Sequence, residues 1–164
     1  MKKVAFIGTG LMGFPMASNL LKAGIKLQVF NRSISKAEPL KEFGAEISNT
    51  LSSVVKDTDF IITMLTDDGA VEAIMSHPDF LNNLNSGSTV IDMSSIKPNT
   101  AIKYGNIFKS KDINYLDAPV SGGTIGAEEG SLAIMVGGEQ SVFDKSINIL
   151  KAMGNPTLVG PIGS

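Results

Sequence analysis

The chain contains no cysteine and no tryptophan, and its single histidine is His77. Without a thiol there is no disulfide and no thiolate metal site, and one imidazole rules out a multi-histidine centre. His77 lies between Ser76 and Pro78, a context that reads as surface loop. An excess of one charge is missing too. Fourteen basic residues against 16 acidic ones leave a net charge of −2, and no basic block offers a surface to nucleic acid or to an anionic membrane. No apolar run approaches the roughly 20 residues a membrane span requires. Met1-Lys2-Lys3 ahead of apolar residues looks superficially like a secretory leader, but the glycines and the amphipathic segment behind it fit a strand and a helix better. The expected location is the cytoplasm. Internal repeats, linkers and low-complexity segments are absent.

What remains is 164 residues, 43% hydrophobic and 18% charged, enough for one sizeable core. Short apolar runs recur at Val4–Ile7, Leu27–Phe30, Phe60–Leu65, Thr89–Met93, Tyr115–Asp117, Leu132–Val136 and Thr157–Val159. They do not alternate with polar residues, as expected of strands buried on both faces. Helical patterns lie between most of them. Met12, Met16, Ala17, Leu20 and Leu21 form one stripe, with Pro15 in its first turn and Gly24 as its C-terminal cap. Ser35-Lys-Ala-Glu38 reads as a capping box for a second helix, although Pro39 forfeits a ladder bond there and pushes the start a residue or two later. Pro98 opens a helix to about Lys109, and Ser141–Met153 forms the last one, ended by Gly154. Strands alternating with helices predict an α/β, Rossmann-like, doubly wound and mainly parallel sheet in a single domain over residues 1–164.

In such sheets ligands bind beyond the carboxyl ends of the strands. The first strand runs into Gly8-Thr9-Gly10-Leu11-Met12-Gly13 and then into an apolar-periodic segment. In a strand–turn–helix, Gly8 allows the tight turn, Gly10 lets the backbone approach a pyrophosphate, and Gly13 lets the helix pack closely. The helix N-terminus adds free N–H groups and a positive dipole end. A dinucleotide site follows. After the second strand stands neutral Asn31, with Arg32 and Ser33 beside it and Lys36 a turn on. A carboxylate there would favour the ribose of NAD and repel a 2′-phosphate, whereas arginine clamps phosphate bidentately or stacks on adenine. The expected cofactor is therefore NADP rather than NAD.

Met64-Leu65-Thr66-Asp67-Asp68 follows the run at Phe60–Leu65, and Thr66, Asp67 or Asp68 is read as a helix cap rather than as metal or acid–base chemistry. In Asp92-Met93-Ser94-Ser95-Ile96 the hydroxyls contact the nicotinamide or cap the next turn. The second dense motif runs from Asp117 to Gly138. Around Ser121, Gly122 and Gly123 successive N–H groups form a small anion cradle that suits a substrate carboxylate, whereas Gly137 and Gly138 read as a structural turn.

Two segments, G-x-G-x-M-G-x-P-M-A-x-N-L at Gly8–Leu20 and D-A-P-V-S-G-G-x-x-G-A-x-x-G-x-L at Asp117–Leu132, resemble those of the β-hydroxyacid dehydrogenase family, which includes 3-hydroxyisobutyrate dehydrogenase, glyoxylate/succinic semialdehyde reductases and 6-phosphogluconate dehydrogenase. The resemblance covers essentially residues 3–164, and the second motif is highly specific. It implies that Met64, Leu65 and Ser95 contact the cofactor and that Ser121, Gly122 and Gly123 bind a substrate carboxylate. It implies hydride transfer between a nicotinamide and a short β-hydroxy acid or its semialdehyde. The family's proton-transferring lysine follows a segment like Gly160–Ser164, and no lysine follows Lys151 here. The resemblance thus makes this chain the cofactor-binding part of a longer enzyme. The missing all-helical domain would complete the substrate site and carry most of a homo-oligomer interface, and this part alone would be inactive. Competing readings are an NAD-dependent 3-hydroxyisobutyrate dehydrogenase, a 6-phosphogluconate dehydrogenase domain and a non-catalytic NADP-binding module.

Overall fold

The structure is a computed structural model and describes residues 2–164. Nine strands form one sheet: β1 (Val4–Ile7), β2 (Leu27–Phe30), β3 (Glu46–Ile47), β4 (Phe60–Thr63), β5 (Thr89–Asp92), β6 (Asn114–Asp117), β7 (Val120–Ser121), β8 (Leu132–Gly137) and β9 (Gly154–Gly160). The first six lie in the order β3-β2-β1-β4-β5-β6, all parallel. The order reverses between β1 and β4, which is where a doubly wound sheet opens a crevice. Beyond β6 the sheet turns antiparallel. Asp117 pairs with Gly137, and β7 continues along β8 after the Ala118-Pro119 interruption. β9 runs parallel to β8 on its other side.

Seven helices cover the sheet: α1 (Gly13–Lys22), α2 (Leu51–Val55), α3 (Asp68–Met75), α4 (Pro78–Leu81), α5 (Pro98–Ser110), α6 (Gly123–Glu129) and α7 (Gln140–Lys151). The unbroken apolar character of β1 has a direct cause. Val4 and Phe6 join the core built with α1, α6 and α7, and Ala5 and Ile7 join the core built with α2–α5. Both faces are dry, so a strand with period-two polarity would bury unpaired polar groups. No described helix is long and apolar enough to cross a membrane.

Three sequence readings are corrected. The predicted second helix with its capping box is absent. Residues Ile34–Lys36 and Glu38–Phe43 form two 3-10 turns with no side-chain cap, and Glu38 pairs instead with Lys41 at 2.9 Å. Pro39 cannot donate the ladder bond an α-helix needs at that point. Gly154 does not merely end the last helix; it starts β9. A Cβ there would lie 2.1 Å from the Leu132 carbonyl oxygen, so its glycine character serves strand pairing. The run at Phe60–Leu65 ends as a strand at Thr63, which frees Met64 and Leu65 for the crevice. Gly24, with φ +85° and its N–H on Leu21 O, caps α1 as expected.

α1 and α6 are clamped to each other. Asn19 Nδ2 donates to Ala127 O at 2.7 Å, from the middle of α1 to the last turn of α6. Asn19→Ala is expected to lower stability by about 1–2 kcal/mol, since it leaves that carbonyl without its donor. A denaturant midpoint unchanged from the native chain would contradict this.

A candidate dinucleotide site at the strand-order reversal

The three glycines of the first loop do different work. Gly8 has φ +105°, and a Cβ on it would stand 2.1 Å from Met64 O. The turn after β1 therefore lies directly against the turn after β4. A Cβ on Gly13 would meet Gly8 O at 1.8 Å and Phe6 Cε1 at 3.3 Å, so α1 starts tight against the turn. The close approach that Gly13 permits is thus first to the loop's own backbone and only second to the sheet. Gly10 is unlike either. It is exposed, and no atom lies within 4 Å of where its Cβ would be. Nothing inside the protein requires glycine there, and the open space is what a backbone approached by a ligand needs. Beside it Thr9 is buried, and its Oγ1 has no hydrogen-bond partner among the described residues. Leu11 is 85% exposed, and Met12 half-buried. A groove of about 590 Å³ runs from Thr9, Gly10 and Leu11 along Phe14 to Lys22 and Lys36.

Asn31 is the hinge pin of this loop. Its Oδ1 accepts from Thr9 N at 2.9 Å, and its Nδ2 donates to Ser33 O at 2.9 Å. The turn after β2 is thereby fixed to the turn after β1. Arg32, Ser33 and Lys36 are exposed, and Arg32 has no ion-pair partner among the described residues. An open backbone at Gly10, an unpaired buried hydroxyl and free cations beside the second strand together fit a dinucleotide.

The other side of the crevice is built from β4 and β5. Met64 N donates to Ile7 O at 2.9 Å, and Leu65 N donates to Ser94 Oγ at 2.8 Å. Thr66 and Ser95 are exposed at the tips. Asp67 Oδ1 caps α3 by accepting from Ala70 N at 2.8 Å. Asp68 accepts from Lys97 N at 3.0 Å and Thr100 Oγ1 at 2.7 Å, which hold its carboxyl below the ordinary range. His77 caps α4 through Nδ1, which accepts from Asp79 N at 3.1 Å.

Ser121 closes β7, and Gly122 and Gly123 follow with φ +138° and +61°. All three are exposed, and Gly123 has open space where its side chain would be. Because α6 begins here and is tied to α1, the turn at Ser121, Gly122 and Gly123 is held to the helix that follows the glycine loop. Gly137 and Gly138 do have internal reasons: a Cβ on them would meet Pro161 O at 2.8 Å and Leu116 Cδ2 at 2.6 Å.

Sequence reasoning missed a buried polar layer beneath the crevice. Asp92, fully buried at the end of β5, accepts on Oδ1 from Thr63 Oγ1 at 2.9 Å and from Ser94 N at 3.1 Å. Its Oδ2 and the Tyr115 hydroxyl have no hydrogen-bond partner among the described residues. Burial, and secondarily the field of Asp117, pushes the Asp92 carboxyl up to about 6. Burial raises Asp117 too, against the Gly163 N–H that it accepts at 3.2 Å, and burial raises the Tyr115 hydroxyl. The available signal was one carboxylate closing an otherwise apolar run, Val90-Ile91-Asp92.

The pH consequence has a definite sign. Between about pH 4 and about pH 6 the native state keeps a proton on Asp92 that the unfolded chain has released. This contribution is full below the unfolded value and is lost as pH rises through the folded one, at a cost of about 3 kcal/mol. In Asp92→Asn that decline is expected to disappear, leaving the variant more stable than the native chain near pH 7.5. Denaturant unfolding across pH checks it; parallel profiles for the two proteins would contradict it.

The glycine loop, the strand reversal and the free cations define a pyridine-nucleotide-binding domain of the oxidoreductase type. Residues 3–162 match the family described as the NAD binding domain of 6-phosphogluconate dehydrogenase, and the chain belongs to that family, within the β-hydroxyacid dehydrogenases. It is 40% identical over 153 residues to the 2-(hydroxymethyl)glutarate dehydrogenase of Eubacterium barkeri, covering 93% of this chain and 51% of that protein. It is 40% identical over 166 residues to the NAD-dependent L-serine dehydrogenase of Pseudomonas aeruginosa, covering 100% of this chain and 56% of that one. Among solved structures, the 3-hydroxyisobutyrate dehydrogenase of Mycobacterium tuberculosis with L-serine superposes with a TM-score of 0.94 at 32% identity, covering 99% of this chain and 56% of that chain. The chain spans about half the length of the curated relatives it matches.

Proposed function

We propose that this chain binds NADP(H) at Gly8–Gly13 and holds it for hydride exchange with a short β-hydroxy acid or its semialdehyde. The observation that carries the reading is the pairing of an unobstructed Gly10 with a neutral Asn31 flanked by Arg32 and Lys36. The backbone from Thr9 to Met12 and the first turn of α1 take the pyrophosphate. Arg32, with Ser33 and Lys36, takes the 2′-phosphate. Asn31 acts indirectly, by fixing the loop. An aspartate in its place would set an oxygen against Ser33 O and a negative charge beside the phosphate.

Met64, Leu65, Thr66 and Ser95 line the nicotinamide side, and Ser121, Gly122 and Gly123 hold the substrate carboxylate through backbone N–H groups and the Ser121 hydroxyl. Bound NADP(H) supplies or accepts the hydride. The chain by itself is expected to bind cofactor without turnover, since it spans about half the length of the relatives it matches. Turnover of a hydroxy acid by this chain alone would overturn that part of the proposal. An NAD-dependent reading is favoured by one observation, the name of the Pseudomonas aeruginosa relative. Equilibrium titration with NADPH and NADH separates the two. The proposal predicts NADPH to bind at least about tenfold tighter, and equal or tighter NADH binding would contradict it.

A further inference from the structure

Asp92 is an expensive residue for its place. A carboxylate buried at the end of an interior strand loses its hydration, and an apolar side chain of similar volume would carry no such cost. Its neighbours in register are Thr63 on β4 and Asp117 on β6. Among the described residues only its Oδ1 accepts hydrogen bonds, one from across the sheet on β4 and one from the turn after β5. One holds Thr63, the last residue before Met64-Leu65; the other holds Ser94 N, one residue before Ser95. Ser94, fully buried, then closes the circuit by accepting from Leu65 N at 2.8 Å. Three donors, Thr63 Oγ1, Ser94 N and Leu65 N, are thus fixed around one carboxylate oxygen and one hydroxyl. The circuit ends against the glycine loop, because Met64 O sits where a side chain on Gly8 would be. Arg32 and Lys36, on the far side of β1, are outside it.

Resting on the cofactor reading above, we infer that Asp92 is a positioning residue for the nicotinamide half of the site, acting through Thr63 and Ser94 to set the gap between Met64-Leu65 and Ser95. It touches neither cofactor nor substrate. What it supplies is a rigid spacing that two independent surface turns would not keep.

The test uses two ligands that share one end. Adenosine 2′,5′-bisphosphate carries the adenine, the ribose and the 2′-phosphate but no nicotinamide. Native chain, Asp92→Ala and Asp92→Asn are titrated with it and with NADPH, with folding checked by circular dichroism. In Asp92→Ala, NADPH is expected to bind about tenfold more weakly and the bisphosphate within about twofold of native. Asp92→Asn keeps an oxygen acceptor at Oδ1 and is expected to restore NADPH binding to within about threefold. Where Asp92→Ala does not fold, Ser94→Ala, which removes the hydroxyl that accepts from Leu65 N, is expected to show the same split. Native NADPH affinity in the folded Ala variant, or equal losses for both ligands, would overturn the inference. A native chain that binds neither ligand overturns the cofactor reading itself and this inference with it.

Discussion

Gly10→Val is expected to leave the fold intact and to reduce dinucleotide affinity by roughly 100-fold or more, whereas Gly13→Ala is expected to do the reverse kind of damage. Space around Gly10 is empty, so a valine side chain costs within about 1 kcal/mol of stability. Its branched Cβ would occupy the room where a pyrophosphate approaches the backbone. At Gly13 a single methyl group would lie 1.8 Å from Gly8 O, a contact that neither the turn nor α1 can absorb without moving. A loss of about 3 kcal/mol or more is expected, or roughly 6–12 °C in Tm for a domain of this size. Thermal melting and cofactor titration of both variants separate the two roles. A Gly10→Val chain that binds NADPH like the native chain would show that Gly10 does not face the ligand. A Gly13→Ala chain of native Tm would show that α1 has more freedom than this packing allows.

Arg32→Ala carries the second large effect. Loss of a bidentate guanidinium–phosphate contact removes about 1.5–3 kcal/mol, which is roughly 10- to 100-fold in NADPH affinity. NADH lacks the 2′-phosphate and is expected to change by less than about twofold. Arg32 is exposed, so the proposed preference for NADPH is also expected to shrink as salt is raised. Lys36 lies on the following 3-10 turn and would contribute as a point charge, so Lys36→Ala is expected to be the milder variant. Equal losses for NADPH and NADH in Arg32→Ala would mean that Arg32 stacks on adenine and does not read the phosphate.

The parts of this fold legible in the sequence are those where one local rule decides. Val4–Ile7 is apolar throughout because two cores claim its alternate residues, and that pattern has no surface reading. Gly8, Gly10 and Gly13 point to a strand–turn–helix from spacing alone. Their separate duties do not, because those depend on Met64 O and Gly8 O, which only folding brings near. In the segment after Arg32, Ser35 and Glu38 satisfy a helix-start pattern, while Pro39 decides the outcome one residue later. β3 and β7 escaped notice because two residues carry no period. Asp92 escaped for a different reason. A carboxylate near a strand end looks the same in sequence whether it faces water or a buried threonine, and its partners Thr63 and Ser94 lie on different segments.

The central claim is that a dinucleotide lies across the carboxyl ends of β1, β2, β4 and β5, with its phosphates on the glycine loop. The most direct measurement is a titration of ¹⁵N-labelled chain with NADP⁺, following each backbone amide. Amides of Thr9–Gly13, Arg32–Ser33, Met64–Leu65 and Ser95 are predicted to shift together and saturate, while Lys26 and Glu46, at the amino ends of β2 and β3, stay in place. Saturable shifts centred on those amino ends, with the Gly10 amide unmoved, would contradict this placement.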